Sequence, residues 1–142
     1  MVKYLDKNSE AEVTAAIRRA EHKTSGEIRV HLRRKCKGDV FEAARKIFHK
    51  LRMHKTKHRN AVLIYVALDS RQFAVLGDRG IHEKVGDLFW KETRDKMKSL
   101  FSQARVKEAI VAGVMDAGEK LKYYFPTEKA DKNELSDTIT AD

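Results

Sequence analysis

Ala61-Val62-Leu63-Ile64-Tyr65-Val66-Ala67-Leu68 is the longest unbroken apolar run in the chain. It is rich in β-branched residues, has no polar alternation, and is far too short to span a bilayer. Such a run predicts a central strand covered on both faces. Asp69-Ser70-Arg71 then makes a short polar turn, and Gln72–Leu76 reads as a strand returning antiparallel. Upstream, Glu27-Ile28-Arg29-Val30-His31-Leu32 alternates polar and apolar residues strictly, as a half-buried strand does.

Helical patterns fill the rest. Ser9 with Glu12 forms a possible capping box, followed by Val13, Ala16, Ile17 and Ala20 at helical spacing, with Gly26 placed to stop the helix. Asp39 can cap a second helix with Glu42 three residues on, whose stripe is Val40, Ala44, Ile47, Phe48 and Leu51. After Gly80, one pattern runs through Val85, Phe89, Met97, Leu100 and Phe101, with a break near Gly86. Another runs from Val106 to Tyr124. The order α–β–α–β–β–α–α predicts a three-layer α/β/α sandwich, with a small mixed sheet of three to four strands. A fourth, edge strand has weak candidates in Val2–Leu5 and Arg33–Cys36.

The 142 residues are 42% hydrophobic, with 30 Lys plus Arg, 21 Asp plus Glu, and a net charge of +9. This is enough apolar material for one core and too much for a disordered polyelectrolyte. A lone cysteine excludes a disulfide framework and a four-cysteine zinc site. The N-terminus has acids where a signal peptide needs an apolar stretch, so a cytoplasmic monomer that does not enter membranes is expected. From Thr127 onward five acids and two lysines give −3, leaving +12 on residues 1–126. The organisation expected is one domain over 1–126 and a disordered acidic tail over 127–142.

Connection rules restrict where loops meet. Strands joined through a helix run parallel, and the hairpin strand returns beside their beginnings. The segments 22–27, 58–60 and 77–87 should therefore share one sheet edge, with Glu27, Asn60 and Asp78 as neighbours. Glu21, Glu27, Asp78, Glu83 and Asp87 gather acids there in a basic protein. Grouped carboxylates repel unless a cation or proton lies between them, and Ca²⁺ or Mg²⁺ favours oxygen ligands of this kind. Gly77 and Gly80 could take φ > 0 and aim carbonyls inward. Glu27 and Asp78 serve equally well as loop caps or ion-pair partners. Gly77-Asp78-Arg79-Gly80 could also cradle a phosphate, with Arg79 as clamp.

Other features have plainer readings. Residues 28–68 carry twelve Lys or Arg against two acids, which allows nucleic-acid binding, but Phe41 and Phe48 fall on the core stripe instead of interleaving with the charges. His54 and His58 have the i, i+4 spacing of a helical zinc pair without a third ligand nearby. Cys36 lies among Arg33, Arg34, Lys35 and Lys37 but has no evident catalytic partner. Phe89 and Trp90 read as packing residues, and Tyr123 and Tyr124 as the closure of the last helix on the sheet.

Glu21-His22-Lys23-Thr24-Ser25-Gly26-Glu27 before a strand, Asn60-Ala61-Val62-Leu63 opening the buried strand, Arg71 in the hairpin, and Gly77-Asp78-Arg79-Gly80 with Asp87 downstream share an order and spacing. In that order the chain, over about residues 8–123, resembles the TPM domain family, which includes bacterial putative membrane proteins and thylakoid-lumen proteins of photosystem II repair. The resemblance implies an α/β/α sandwich with an acidic, divalent-metal-binding cluster where loops cross. It also implies a possible metal-dependent phosphatase activity, since the family carries a phosphatase label. The chain looks like a stand-alone bacterial version. Glu27, Asp78 and Asp87 are the expected metal ligands, with Glu21 and Glu83 behind them and Ser25, Asn60 and Arg79 in support. No Asp-x-Asp, Cys-x5-Arg or histidine-based phosphoryl-transfer motif accompanies them.

Overall fold

A computed structural model describes residues 4–86, 88–127 and 139–142. Strands β1 (Glu27–Arg33), β2 (Ala61–Ala67), β3 (Gln72–Gly77) and β4 (Thr140–Ala141) form one mixed sheet in the order β3-β2-β1-β4. β1 and β2 are parallel, with Glu27 opposite Ala61, and β3 is antiparallel to β2, with Gly77 opposite Val62. All seven residues of β2 are buried, as a strand covered on both faces must be.

Alternation along β1 and β2 divides the core. Ile28, Val30, Leu32, Val62, Ile64 and Val66 face helices α1 (Lys7–Glu21), α4 (Lys91–Ser102) and α5 (Val106–Tyr124). Ala61, Leu63, Tyr65 and Ala67 face α2 (Val40–Lys50) and the following 3-10 turn, Met53–Lys55. The expected α/β/α sandwich is therefore what the chain forms. Gly118 fixes the approach of α5 to α1, because a Cβ there would lie 2.7 Å from that of Ala20. The break expected near Gly86 is present: α3 (Arg79–Val85) ends at Gly86 with φ +78 before α4 begins.

Several boundaries differ from expectation. α1 starts one turn early because Asp6, not Ser9, is its N-cap; the Asp6 carboxylate accepts from Ser9 N. The helix stops at Glu21, well before Gly26. Gly26 serves close approach instead, since a Cβ there would lie 2.9 Å from Leu121 Cδ1. Glu42 pairs with Arg45 while Asp39 caps α2 through Phe41 N. Phe48 is buried but Phe41 stays at the surface. Tyr123 and Tyr124 are also exposed, and Phe125 is the residue that closes the end of α5.

The fourth strand is not Arg33–Cys36, and the Val2–Leu5 candidate falls partly outside the described residues. Residues 1–3 lie outside the described residues, and Arg33 ends β1. The edge position is taken by Thr140–Ala141 from the stretch expected to be a disordered tail. Residues 128–138 lie outside the described residues, but Ile139 is buried in the main core. One apolar side chain with an anchor site, and a free backbone edge on β1, give this short segment what composition hides.

Candidate functional site

Three segments cross at the edge where β1 and β2 begin and β3 ends. Asp78 N donates to Ala61 O at 2.9 Å, and Gly80 N donates to Arg59 O at 2.9 Å. A Cβ on Gly80 would lie 2.3 Å from His58 O and 2.5 Å from Arg59 O. The 58–60 and 77–80 segments are thus in backbone contact. The third segment, 22–27, joins them through Asn60 Nδ2, which donates to Ser25 Oγ at 3.3 Å. The end of α5 closes the crossing: Thr24 Oγ1 and Ser25 N both donate to Phe125 O, and Thr24 bridges to Pro126. The placement of Glu27, Asn60 and Asp78 at one edge is as loop topology predicts. The part played by Phe125 and Pro126 is not visible in any local motif.

Each candidate residue has a definite setting. Glu27 is a buried carboxylate, 3% exposed, at the first position of β1. Glu21 Oε2 accepts from Ile28 N at 2.7 Å, so this side chain ties the end of α1 to the start of β1. Asp78, 6% exposed, accepts from Arg59 Nε at 2.7 Å and Nη2 at 3.0 Å, and from Arg79 N at 2.8 Å. It is both N-cap of α3 and partner of a two-point guanidinium clamp. The Asp78 bond is the main reason the Arg59 guanidinium is held above its ordinary pKa. Glu83 is 71% exposed and lies 4.0 Å from Arg79 on the outside of α3. Asp87 lies outside the described residues.

Asn60 is the least satisfied member. The residue is 1% exposed, and its Oδ1 has no hydrogen-bond partner among the described residues. A buried acceptor left without a donor costs about 1–3 kcal/mol, so it is a place where a ligand is rewarded. Among the described residues, however, no three His, Cys, Asp or Glu side chains are grouped closely enough to hold a metal ion.

The phosphate-cradle reading of Gly77–Gly80 is corrected. Neither glycine has positive φ, and the amide of Arg79 is already capped by the Asp78 carboxylate, which repels a phosphate. The His54/His58 pair is likewise not a helical pair. His54 lies in a 3-10 turn, where its ring packs 4.8 Å from that of His49. Cys36 is a free thiol, half-buried beside the α2 layer. Trp90 is buried in the main core against Phe89, as expected of a packing residue.

The sheet order, the covering of both faces and the loop crossing define a small α/β/α sandwich domain. The TPM domain model matches residues 1–120, most of the chain, and the chain therefore belongs to the TPM domain family. Among solved structures, the NMR structure of the BA42 protein from the psychrophilic bacterium Bizionia argentinensis is similar throughout. The two share 43% identity with a TM-score of 0.93, and the match covers 100% of this chain and 98% of that one. No curated protein matches the chain. Among the described residues no helix is long and apolar enough to cross a membrane.

Proposed function

We propose that the loop crossing binds a divalent cation, Ca²⁺ or Mg²⁺, and that the ion locks the three segments together. The observation that carries this reading is the buried, partnerless Asn60 Oδ1, set between segments that also bring in the Glu27 and Asp78 carboxylates. Two carboxylates and an amide oxygen are the donor set of a hard cation, with water completing the shell. The residues fit such an ion in kind.

Placement requires an exchange of partner at Asp78. Asp78 already binds a cation, the Arg59 guanidinium, and that residue has a left-handed backbone with φ 50. In this proposal Arg59 swings out and Asp78 turns to the ion, joined by Glu27 and Asn60, with Asp87 as the further acidic ligand. Glu21 keeps its bond to Ile28 N and positions the strand start, Glu83 remains outside, and Ser25 orients the Asn60 amide. Arg79 keeps α3 capped through its own amide. The bound ion supplies charge neutralisation and cross-linking.

Titration of the ¹⁵N-labelled protein with CaCl₂ or MgCl₂ tests this. The Gly26, Glu27, Asn60 and Asp78 amides should shift first and saturate together. At a hundredfold excess over Kd the stability gain is about 2.7 kcal/mol. Glu27→Gln and Asp78→Asn should each weaken binding at least tenfold, whereas Arg59→Gln should tighten it by removing the internal competitor. Shifts confined to exposed acids such as Glu83 and Glu119, or no saturable shift at millimolar ion, would overturn the reading.

A further inference from the structure

The opposite end of the sheet carries a pocket of about 500 Å³, between the β2–β3 hairpin and the corner joining α4 to α5. That volume lies within the range of small-molecule sites. Its walls are apolar: Val66 is buried at the base, and the Phe73 and Phe101 rings pack with centroids 5.0 Å apart. Leu68 and Val106 continue this surface. No acid lines it.

Two cations stand among these apolar walls. Arg71 and Lys98 both line the pocket and are exposed, and neither side chain has a hydrogen bond or ion pair among the described residues. Several other surface lysines pair with acids. Lys91 pairs with Asp95, Lys96 with Asp116, and Lys107 with Glu12. A second groove of similar size, about 510 Å³, also carries several cations, but it interleaves Asp39, Glu42 and Asp142 with them. The first carries its two cations with no acid among its described lining residues.

The backbone around it is also unusual. Among the described residues four non-glycine positions have positive φ, and two of them, Arg71 at φ 52 and Ala104 at φ 60, line this one pocket. A left-handed residue costs about 1–2 kcal/mol, and such residues concentrate where a chain is shaped around a ligand.

We infer that this pocket binds a small amphipathic anion: an alkyl or aryl carboxylate whose apolar body lies against Phe73 and Phe101 and whose carboxylate lies between Arg71 and Lys98. Apolar burial supplies affinity, and the two cations supply orientation and preference for acid over alcohol. The site is independent of the loop crossing, which lies at the other end of the same strands.

Octanoate is the probe, with octanol and acetate as its neutral and chain-free counterparts. In ¹⁵N-resolved titrations octanoate should move the Leu68, Arg71, Phe73, Phe101 and Ala104 amides saturably. Octanol and acetate should each bind at least tenfold more weakly. The double variant Arg71→Gln/Lys98→Gln, altered only at exposed positions, should lose about tenfold in octanoate affinity and nothing in octanol affinity, with unchanged Tm. Phosphatidylglycerol vesicles separate a membrane-borne acid from a free one: the proposal expects no co-sedimentation. Equal octanoate binding by the double variant, shifts centred on Leu88 and Tyr123 instead, vesicle capture without octanoate binding, or no saturable shift at millimolar octanoate would each overturn it.

Discussion

Gly80 shows how a single residue fixes the candidate site. The neighbouring carbonyls of His58 and Arg59 occupy the space a methyl group would need, and they belong to backbone that is itself held by Gly80 N. Gly80→Ala should therefore force the 58–60 and 77–80 segments apart, with a loss of about 3 kcal/mol in urea unfolding. Gly38 is the control, because its φ is +75 but no atom lies within 4 Å of a built Cβ. Gly38→Ala should cost only left-handed strain, about 1 kcal/mol. Equal losses at the two positions would show that packing at the crossing is not what Gly80 serves. The carboxylates of this corner are legible as residue types at loop positions. What each one does is not: Glu21 on Ile28 N and Asp78 on Arg59 follow from distances that no spacing encodes.

Among the elements, β4 changes the reading of the sheet most. Thr140 and Ala141 pair in parallel with His31 and Leu32, and Asp142 N continues the ladder onto Leu32 O. His31 is only 3% exposed, with Nε2 donating to Asp142 Oδ1 at 2.9 Å and Nδ1 2.8 Å from Thr140 Oγ1. Tyr4 O–H donates to Asp142 O, so the N-terminal segment closes over the same strand. Burial pushes the His31 pKa below its ordinary value, and the Asp142 bond opposes that shift without reversing it. The neutral ring is thus favoured in the folded state. Its stabilising contribution is full above the unfolded value of about 6.5 and is lost as pH falls through the folded one. Urea midpoints measured between pH 7.5 and 5 should fall, and the fall should be smaller in His31→Gln. An identical pH dependence in that variant would place the effect elsewhere. The alternation of β1 marks His31 as a residue of the polar face; its stacking on Tyr65 and the arrival of Thr140 and Asp142 accompany its burial.

For the whole molecule, burial is concentrated on the central pair of strands. β2 is buried along its full length and β1 pairs along all seven of its residues, whereas α3 contributes one buried residue, Ile81. Amide hydrogen exchange should follow this gradient. The β1 and β2 amides should exchange only through global unfolding, and the α3 amides through local opening at much lower free energy. Protection of α3 equal to that of β2 would mean that the crossing is as rigid as the core.

The sequence by itself determined the sandwich: an eight-residue apolar run cannot be a surface strand, and the flanking 3.6-residue stripes must cover it. It also determined that the loops holding Glu27, Asn60 and Asp78 meet, because a crossover connection and a tight hairpin leave one arrangement. Only the tertiary structure decided the fourth strand, the pairing of Asp78 with Arg59, the orphaned oxygen of Asn60 and the uncompensated cations at Arg71 and Lys98. Those depend on contacts between residues far apart in the chain. Periodicity reports which face of an element is apolar, and nothing in it records which distant polar group, or whether any, will be waiting on the other side.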